Sequence, residues 1–289
     1  MSTPSNGNNN WGRWGPDDQR GMLNLVTPEK VAEAAGLAKR GVVYNLAVPL
    51  GRGERIYPGF HETWRITTAN TNQPTNVGVS GDVLAMHSHA GTHVDALSHF
   101  WRDGTLYNGR DASAINSREG VTWAGIDRVG SFVTRGILAD IPRHRGVEYL
   151  TPEDGISGQD LAECLAAEGI EPREGDVLLL RTGWHQMFSR DRAMWDSGEP
   201  GFDESSAEWL SDQGIVAVGA DSPGLEWIPS YPHSNPFHVR ALRDFGIYIF
   251  ENLDLETLGE DRAYEFMFVA APLPLVGGTG ASCVPVAIT

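Results

Sequence analysis

The chain has 289 residues, 40% of them hydrophobic, which is enough apolar material for one large domain or two small ones. A net charge of −16 provides no basic stripe for a phosphate backbone or an anionic membrane, so nucleic-acid and lipid partners are excluded and a small-molecule substrate is expected. Cys164 and Cys283 make no disulfide framework, the polar start lacks the features of a signal peptide, and no run reaches the roughly 20 apolar residues of a membrane helix, so a cytoplasmic protein is expected.

Residues 1–10 are rich in Ser, Gly and Asn and cannot bury apolar surface, which predicts a disordered terminus. The fold is expected to begin near Trp11, and with no internal repeat or linker, residues 11–289 are read as one domain. Thr27-Pro28-Glu29 supplies an N-cap, a first-turn proline and an acidic residue for a helix through about Lys39. Its buried stripe would be Val31, Ala34, Ala35 and Ala38. A strand over Val42–Pro49 comes next. Residues 58–81, rich in Thr, Asn and Gly with a lone Trp64, read as a substrate-covering loop or a poorly paired hairpin. Asp82–Met86 reads as the strand that delivers the next segment.

That segment, Met86 to Phe100, packs His87, His89, His93 and His99 together with Asp95 into fifteen residues. Imidazole nitrogen and carboxylate oxygen without nearby thiolate suit an open catalytic Zn²⁺ or Mn²⁺ site rather than a closed structural zinc site. On one straight strand His89 and His93 would lie about 13 Å apart, too far to share one ion. The chain must therefore bend between them, and Gly91 is placed to do it. A strand, a Gly-Thr turn and then a helical or loop segment is the expected course.

Trp101–Arg118 is polar and turn-rich and is expected at the surface. Ser131–Ile141 predicts a strand pair or one bent strand. Ser157–Glu168 predicts a helix, with Ser157 and Asp160 at capping-box spacing and Cys164 in its buried stripe. Asp176–Arg181 is the best candidate for a strand covered on both faces. A short helix over Ser205–Gln213, a strand over Gly214–Ala220, a helix over residues 237–244 and a strand over Gly246–Glu251 complete an α/β pattern with a mixed sheet. Glu251 at a strand end and His238 in the preceding helix are candidate distant ligands, with Asp221, also at a strand end, behind them.

The run His89-Ala-Gly-Thr-His93-Val-Asp95-Ala-Leu-Ser-His99-Phe100 resembles the HxGTHxDxPxHF motif of the metal-dependent cyclase-like hydrolases, which include bacterial kynurenine formamidases and isatin hydrolases. The resemblance continues through Asp221-Ser222-Pro223, through His238 and Gly246–Leu253, and into Ala271–Ser282, so that it spans residues 11–289. It implies a swivelling β/β/α-type fold assembled as a homodimer or homotetramer. It also implies one or two divalent ions held by His89, His93, Asp95, His238 and Glu251, with His99 acting in proton transfer. Leu97 stands where the motif has proline, which bears on backbone stiffness and pocket shape rather than on any ligand.

Other residues carry plainer readings. His87 is taken as a strand residue hydrogen-bonded nearby, and His61, His144 and His185 as surface or loop histidines. His233 competes with His238 but lacks its spacing to Glu251. Gly277-Gly278-Thr279-Gly280 has no following lysine and reads as a turn rather than a phosphate loop. Trp101 and Trp64 are either core or pocket wall, and Arg181 reads as a structural ion pair. The expected function is a metal-dependent amidohydrolase that cleaves the C–N bond of a small N-formyl or cyclic amide. A lactonase or dehydrating cyclase acting on a polyketide-like molecule is the alternative. A non-catalytic metal-binding protein would leave His99 without a role.

Overall fold

The computed structural model describes residues 9–51, 63–72, 74–231 and 233–289. Its frame is a nine-stranded mixed sheet. In chain order the strands are β1 (Val43–Asn45), β2 (His93–Asp95), β3 (Phe132–Asp140), β4 (Val177–Arg181), β5 (Ala217–Ala220), β6 (Tyr248–Glu251), β7 (Glu265–Ala270), β8 (Gly280–Ser282) and β9 (Val286–Ile288). Across the sheet they lie β1-β9-β7-β3-β4-β5-β6-β2-β8. The block β3-β4-β5-β6 is parallel. Every other pairing in the sheet is antiparallel.

The parallel block is where burial is deepest, because both of its faces are covered and alternation gives way to continuous apolar runs. Val177, Leu178, Leu179 and Leu180 are fully buried, as are Ala217, Val218, Ile249 and Phe250. The helix Gly158–Ala167 turns Leu161, Cys164 and Leu165 inward and packs on β3. Its capping box forms as the sequence predicts, with Ser157 and Asp160 satisfying each other's backbone amides. β1 near the start of the chain pairs with β9 at its end, with Val43 opposite Ile288, so one sheet collects strands from almost the whole sequence. The α/β class with a mixed sheet is therefore borne out.

Several local expectations are corrected. The first helix stops at Ala35, and of its supposed stripe only Ala34 is buried, so its apolar spacing does not mark a core face. The helix expected over residues 237–244 is present, but after one turn, Pro236–His238, it widens into a π-helical segment, Val239–Phe245. Leu106, Tyr107 and Ala114 are buried within the stretch expected at the surface. Of the two forms expected for Ser131–Ile141, the single strand is the one present, Phe132–Asp140. Asn10, in the stretch predicted to be disordered, donates its backbone amide to Asp244 O and its side chain to Ser211 Oγ and Phe245 O. The rest of that stretch, residues 1–8, lies outside the described residues, as does His61.

Trp64–Asn72 and Val77–Ala85 form a fully paired antiparallel hairpin, not a loop, and every residue of both strands is exposed. One face carries Trp64, Ile66, Val77, Val79 and Val83, and the opposite face carries Arg65, Thr67, Thr71 and Asp82. The hairpin leads directly into the histidine-rich segment.

Candidate metal centre

The hairpin's second strand ends at Ala85, and the chain then turns through His89 and Gly91 into the three-residue strand β2. Gly91 has φ +65°, a conformation open to glycine at little cost, and this bend brings the His89 and His93 ring centroids to 5.0 Å. The bend is as expected, but it opens into a strand instead of a helical or loop segment. β2 sits between β6 and β8, where His93 is directly opposite both Glu251 and Ser282, and Asp95 opposite Gly280. Thr92 locks the turn by donating to Asn252 O and accepting from Val48 N.

The structure brings His89, His93, Asp95, His99, His238 and Glu251 together. His93 Nδ1 donates to Gly91 O at 2.8 Å, which leaves Nε2 as the lone-pair nitrogen. That nitrogen faces Glu251 Oε2 at 3.1 Å and Asp95 Oδ1 at 3.4 Å. His238 Nδ1 donates to Glu226 Oε2 at 2.7 Å, so its Nε2 lone pair in turn faces Glu251 Oε1 at 3.0 Å and Asp95 Oδ2 at 3.9 Å. His93 Nε2 and Asp95 Oδ2 are buried with no hydrogen-bond partner among the described residues. Lone pairs aimed at buried carboxylates repel unless a cation lies between them.

Titration behaviour reflects the same clash. Burial opposes charge on His93, yet the Asp95 and Glu251 carboxylates beside Nε2 outweigh that and raise it to about 10. Burial likewise opposes charge on His238, and Glu226 and Glu251 raise it well above its ordinary value. Burial alone would keep Asp95 protonated, but His99 and His89 hold it well below the usual carboxylate range. The pocket demands positive charge, as protons or as a metal ion that displaces them. The residues fit a divalent ion: His93, Asp95 and Glu251 form one set of converging donor atoms, and His89, Asp95 and His99 a second that shares Asp95. The donors are nitrogen and oxygen only, the chemistry of zinc and manganese sites.

His89 donates from Nδ1 to Asp95 Oδ1 at 2.6 Å, and Thr279 Oγ1 meets its Nε2 at 3.1 Å. His99 stacks on His89 at a 3.8 Å centroid separation, lies edge-on to Phe100, and has Nε2 3.9 Å from Asp95 Oδ2. Burial pushes His99 down to about 3. Two contributors are assigned no role from the sequence. Thr279 reads there as part of a turn, and Glu226 belongs to no motif. Both reach the site through tertiary pairing alone.

The remaining candidates lie elsewhere. Asp221 accepts from Thr182 N and Oγ1 and from Gly183 N, so both of its oxygens are committed to the backbone turn after β4. Arg181 bridges Asp140 and Glu256, the structural ion pair expected of it. His87 is exposed and lies outside the strand, where its Nδ1 accepts from His89 N. His233 reaches Glu226 Oε1 at 3.5 Å rather than the carboxylates of the centre. Trp64 and Trp101 are half exposed and belong to no core cluster. A cavity of about 660 Å³, within the range of small-molecule pockets, has Glu226, Phe202, Trp227 and His233 in its wall.

Comparison with known proteins gives a consistent picture. Residues 44–227 match the family model described as "Putative cyclase". The kynurenine formamidase of Paracidovorax citrulli is 26% identical over 81% of this chain and 90% of its own length. Cyclase-like protein 2 of Oryza sativa is 30% identical over 68% of this chain and 61% of its own. A crystal structure of a novel cyclase superposes with a TM-score of 0.92 at 32% identity, covering 98% of this chain and all of that one. An isatin hydrolase bound to the product analogue thioisatinate shares the fold, with a TM-score of 0.65 at 20% identity over 91% of this chain and 99% of that one.

Proposed function

The chain belongs to the cyclase family, whose model matches its residues 44–227. From that premise we propose that it is a metal-dependent hydrolase that cleaves the C–N bond of a small N-formyl amide or cyclic amide. The observation that carries this reading is the convergence of the His93 and His238 lone pairs on Asp95 and Glu251, an arrangement that calls for a cation. The several kynurenine formamidases among its relatives favour a formamide or a related amide. His89, His93, Asp95, His238 and Glu251 are the proposed ligands. The nitrogen and oxygen donor set favours Zn²⁺ or Mn²⁺, one ion or two per subunit.

When bound, the ion supplies water activation near neutral pH and polarises the scissile carbonyl. Asp95 and Glu251 balance the charge, and their fixed places on adjacent strands hold the donors in register. His99 lies beside the donor set, with Nε2 3.9 Å from Asp95 Oδ2, where it would hold and hand over a proton during the reaction. A proton on that ring would pass to the departing nitrogen, which cannot leave as an anion. Stacking on His89 and edge contact with Phe100 keep the ring aimed at the site. This gives His99 a role that a non-catalytic metal-binding protein would not need.

A lactonase or dehydrating cyclase is the second reading, favoured by the cyclase names of the rice relative and of the solved structure. The same ligands and the same proton carrier would serve it. Stripping the metal with a chelator, restoring zinc or manganese, and assaying N-formyl anilines, isatins and aryl lactones separates the readings. Metal-restored activity on the first two classes is expected. Activity confined to lactones would replace the amide reading with the second, and metal binding without turnover of any class would overturn both.

Residues 11–289 are read as one hydrolase domain, a reading supported by the pairing of β1 with β9. A homodimer or homotetramer is proposed, because an isolated two-stranded hairpin is marginal in water and the apolar face of this one lies open. Two buried free thiols suit a cytoplasmic setting, and no described helix is long and apolar enough to cross a membrane.

A further inference from the structure

Glu226 is 1% exposed, and both of its carboxylate oxygens accept from one dipeptide, with His233 Nε2 also 3.5 Å from Oε1. Oε1 accepts from Phe237 N at 2.9 Å. Oε2 accepts from His238 N at 3.2 Å and from His238 Nδ1 at 2.7 Å. The backbone of Glu226 is itself pinned by a parallel bridge to Phe202, and Trp227 N donates to Phe202 O. The chain enters the His238 turn through Asn235, a non-glycine residue at φ +51°, so the turn needs an external anchor.

Three donors converging on one carboxylate fix two things at once. They hold the helical turn, and they choose the tautomer, since Nδ1 must carry the ring proton in order to donate. His238 Nε2 is then left with its lone pair directed at Glu251 and Asp95. A carboxylate behind an imidazole also strengthens the opposite nitrogen as a donor, the arrangement found behind many metal-binding histidines.

We propose that Glu226 is the positioning residue of the centre, locking His238 with Nδ1 protonated so that Nε2 is presented to the metal. The proposal rests on the reading of His238 as a ligand. Glu226 touches neither the ion nor the substrate in this scheme and acts through His238 alone. Glutamine cannot replace it, because its amide NH₂ would have to face Phe237 N or His238 N, both of them donors.

The test is a double-mutant cycle in metal affinity, measured on chelator-stripped protein by zinc competition with a chromogenic chelator. Glu226→Gln should weaken zinc binding about 10- to 100-fold, the usual worth of such a partner. His238→Ala should weaken it as well, and adding Glu226→Gln to His238→Ala should change it no further. An equal loss from Glu226→Gln in both backgrounds would make Glu226 a structural cap and overturn the proposal. Unchanged affinity in His238→Ala would instead remove His238 as a ligand, and the proposal would fall with that reading. Should Glu226→Gln fail to fold, imidazole nitrogen shifts of the zinc-loaded wild type decide the question. A protonated Nδ1 on His238 is expected, and a protonated Nε2 would overturn the proposal.

Discussion

His93 and Glu251 are direct partners across the β2–β6 pairing, and this register places His93 Nε2 3.1 Å from Glu251 Oε2. Both side chains are buried, and Asp95 adds a second carboxylate to the same nitrogen at 3.4 Å. Removing one member of the trio should therefore abolish cation binding more than it disturbs the fold. His93→Ala is expected to lower metal content and amide hydrolysis by orders of magnitude while the far-ultraviolet circular dichroism stays that of wild type. Full metal occupancy in that variant would contradict the ligand set.

His99 should behave differently. Its variant His99→Ala is expected to keep its metal and lose roughly 10²- to 10⁴-fold in turnover of an ordinary amide, the usual contribution of a positioned acid or base. An ester or activated anilide, whose leaving group departs without a proton, should lose much less. Equal losses on both substrates with metal retained would count against leaving-group protonation, and loss of metal would make His99 a ligand.

Gly280 lies opposite Asp95, and a Cβ there would come within 2.5 Å of the His89 ring and 2.9 Å of Val94 O. Both contacts are too close, so the imidazole must move aside and the β2–β8 pairing must shift with it. Gly280→Ala should displace His89 from Asp95 and Thr279 and reduce activity at least about 10-fold. The measurement is turnover beside thermal stability. Wild-type turnover would show that the His89 position does not matter.

Away from the centre, burial raises Glu168 from its ordinary 4.5 to about 7. A carboxyl whose folded value lies above its unfolded one contributes stability that is fully present below about 4.5 and is lost as pH rises through about 7. Glu168→Gln keeps an acceptor for the Asp140 amide and removes the charge. The variant should therefore gain on wild type in melting temperature as pH rises from about 5 to 8. Asp221, raised to about 6 by burial, leaves part of the slope in place. Parallel pH profiles for the two proteins would contradict the assignment.

Much of the centre was legible because its chemistry is concentrated in sequence. His89, His93, Asp95 and His99 announce themselves by residue type, and the distance argument at Gly91 anticipates the bend that joins them. The distant pair, His238 and Glu251, was legible from strand-end placement and from family spacing. Glu226 was not, because it arrives through a tertiary contact that no local pattern encodes, and Thr279, though within the resembling run Ala271–Ser282, reads there only as part of a turn. β2 is hidden for a related reason. Its His-Val-Asp is no strand by propensity and becomes one only because β6 and β8 flank it. The short strands β8 and β9 are likewise hidden in a Pro- and Gly-rich C-terminal stretch. The Pro28 helix errs the other way, since its alanines match helical spacing but are too small to mark a buried face.

The most direct test of the account is an anomalous difference map from crystals loaded with zinc or manganese and measured at the metal edge. The account predicts a peak about 2.1 Å from His93 Nε2, among Asp95, Glu251 and His238. An ordered peak elsewhere in the molecule, with none beside His93 in fully loaded protein, would contradict it.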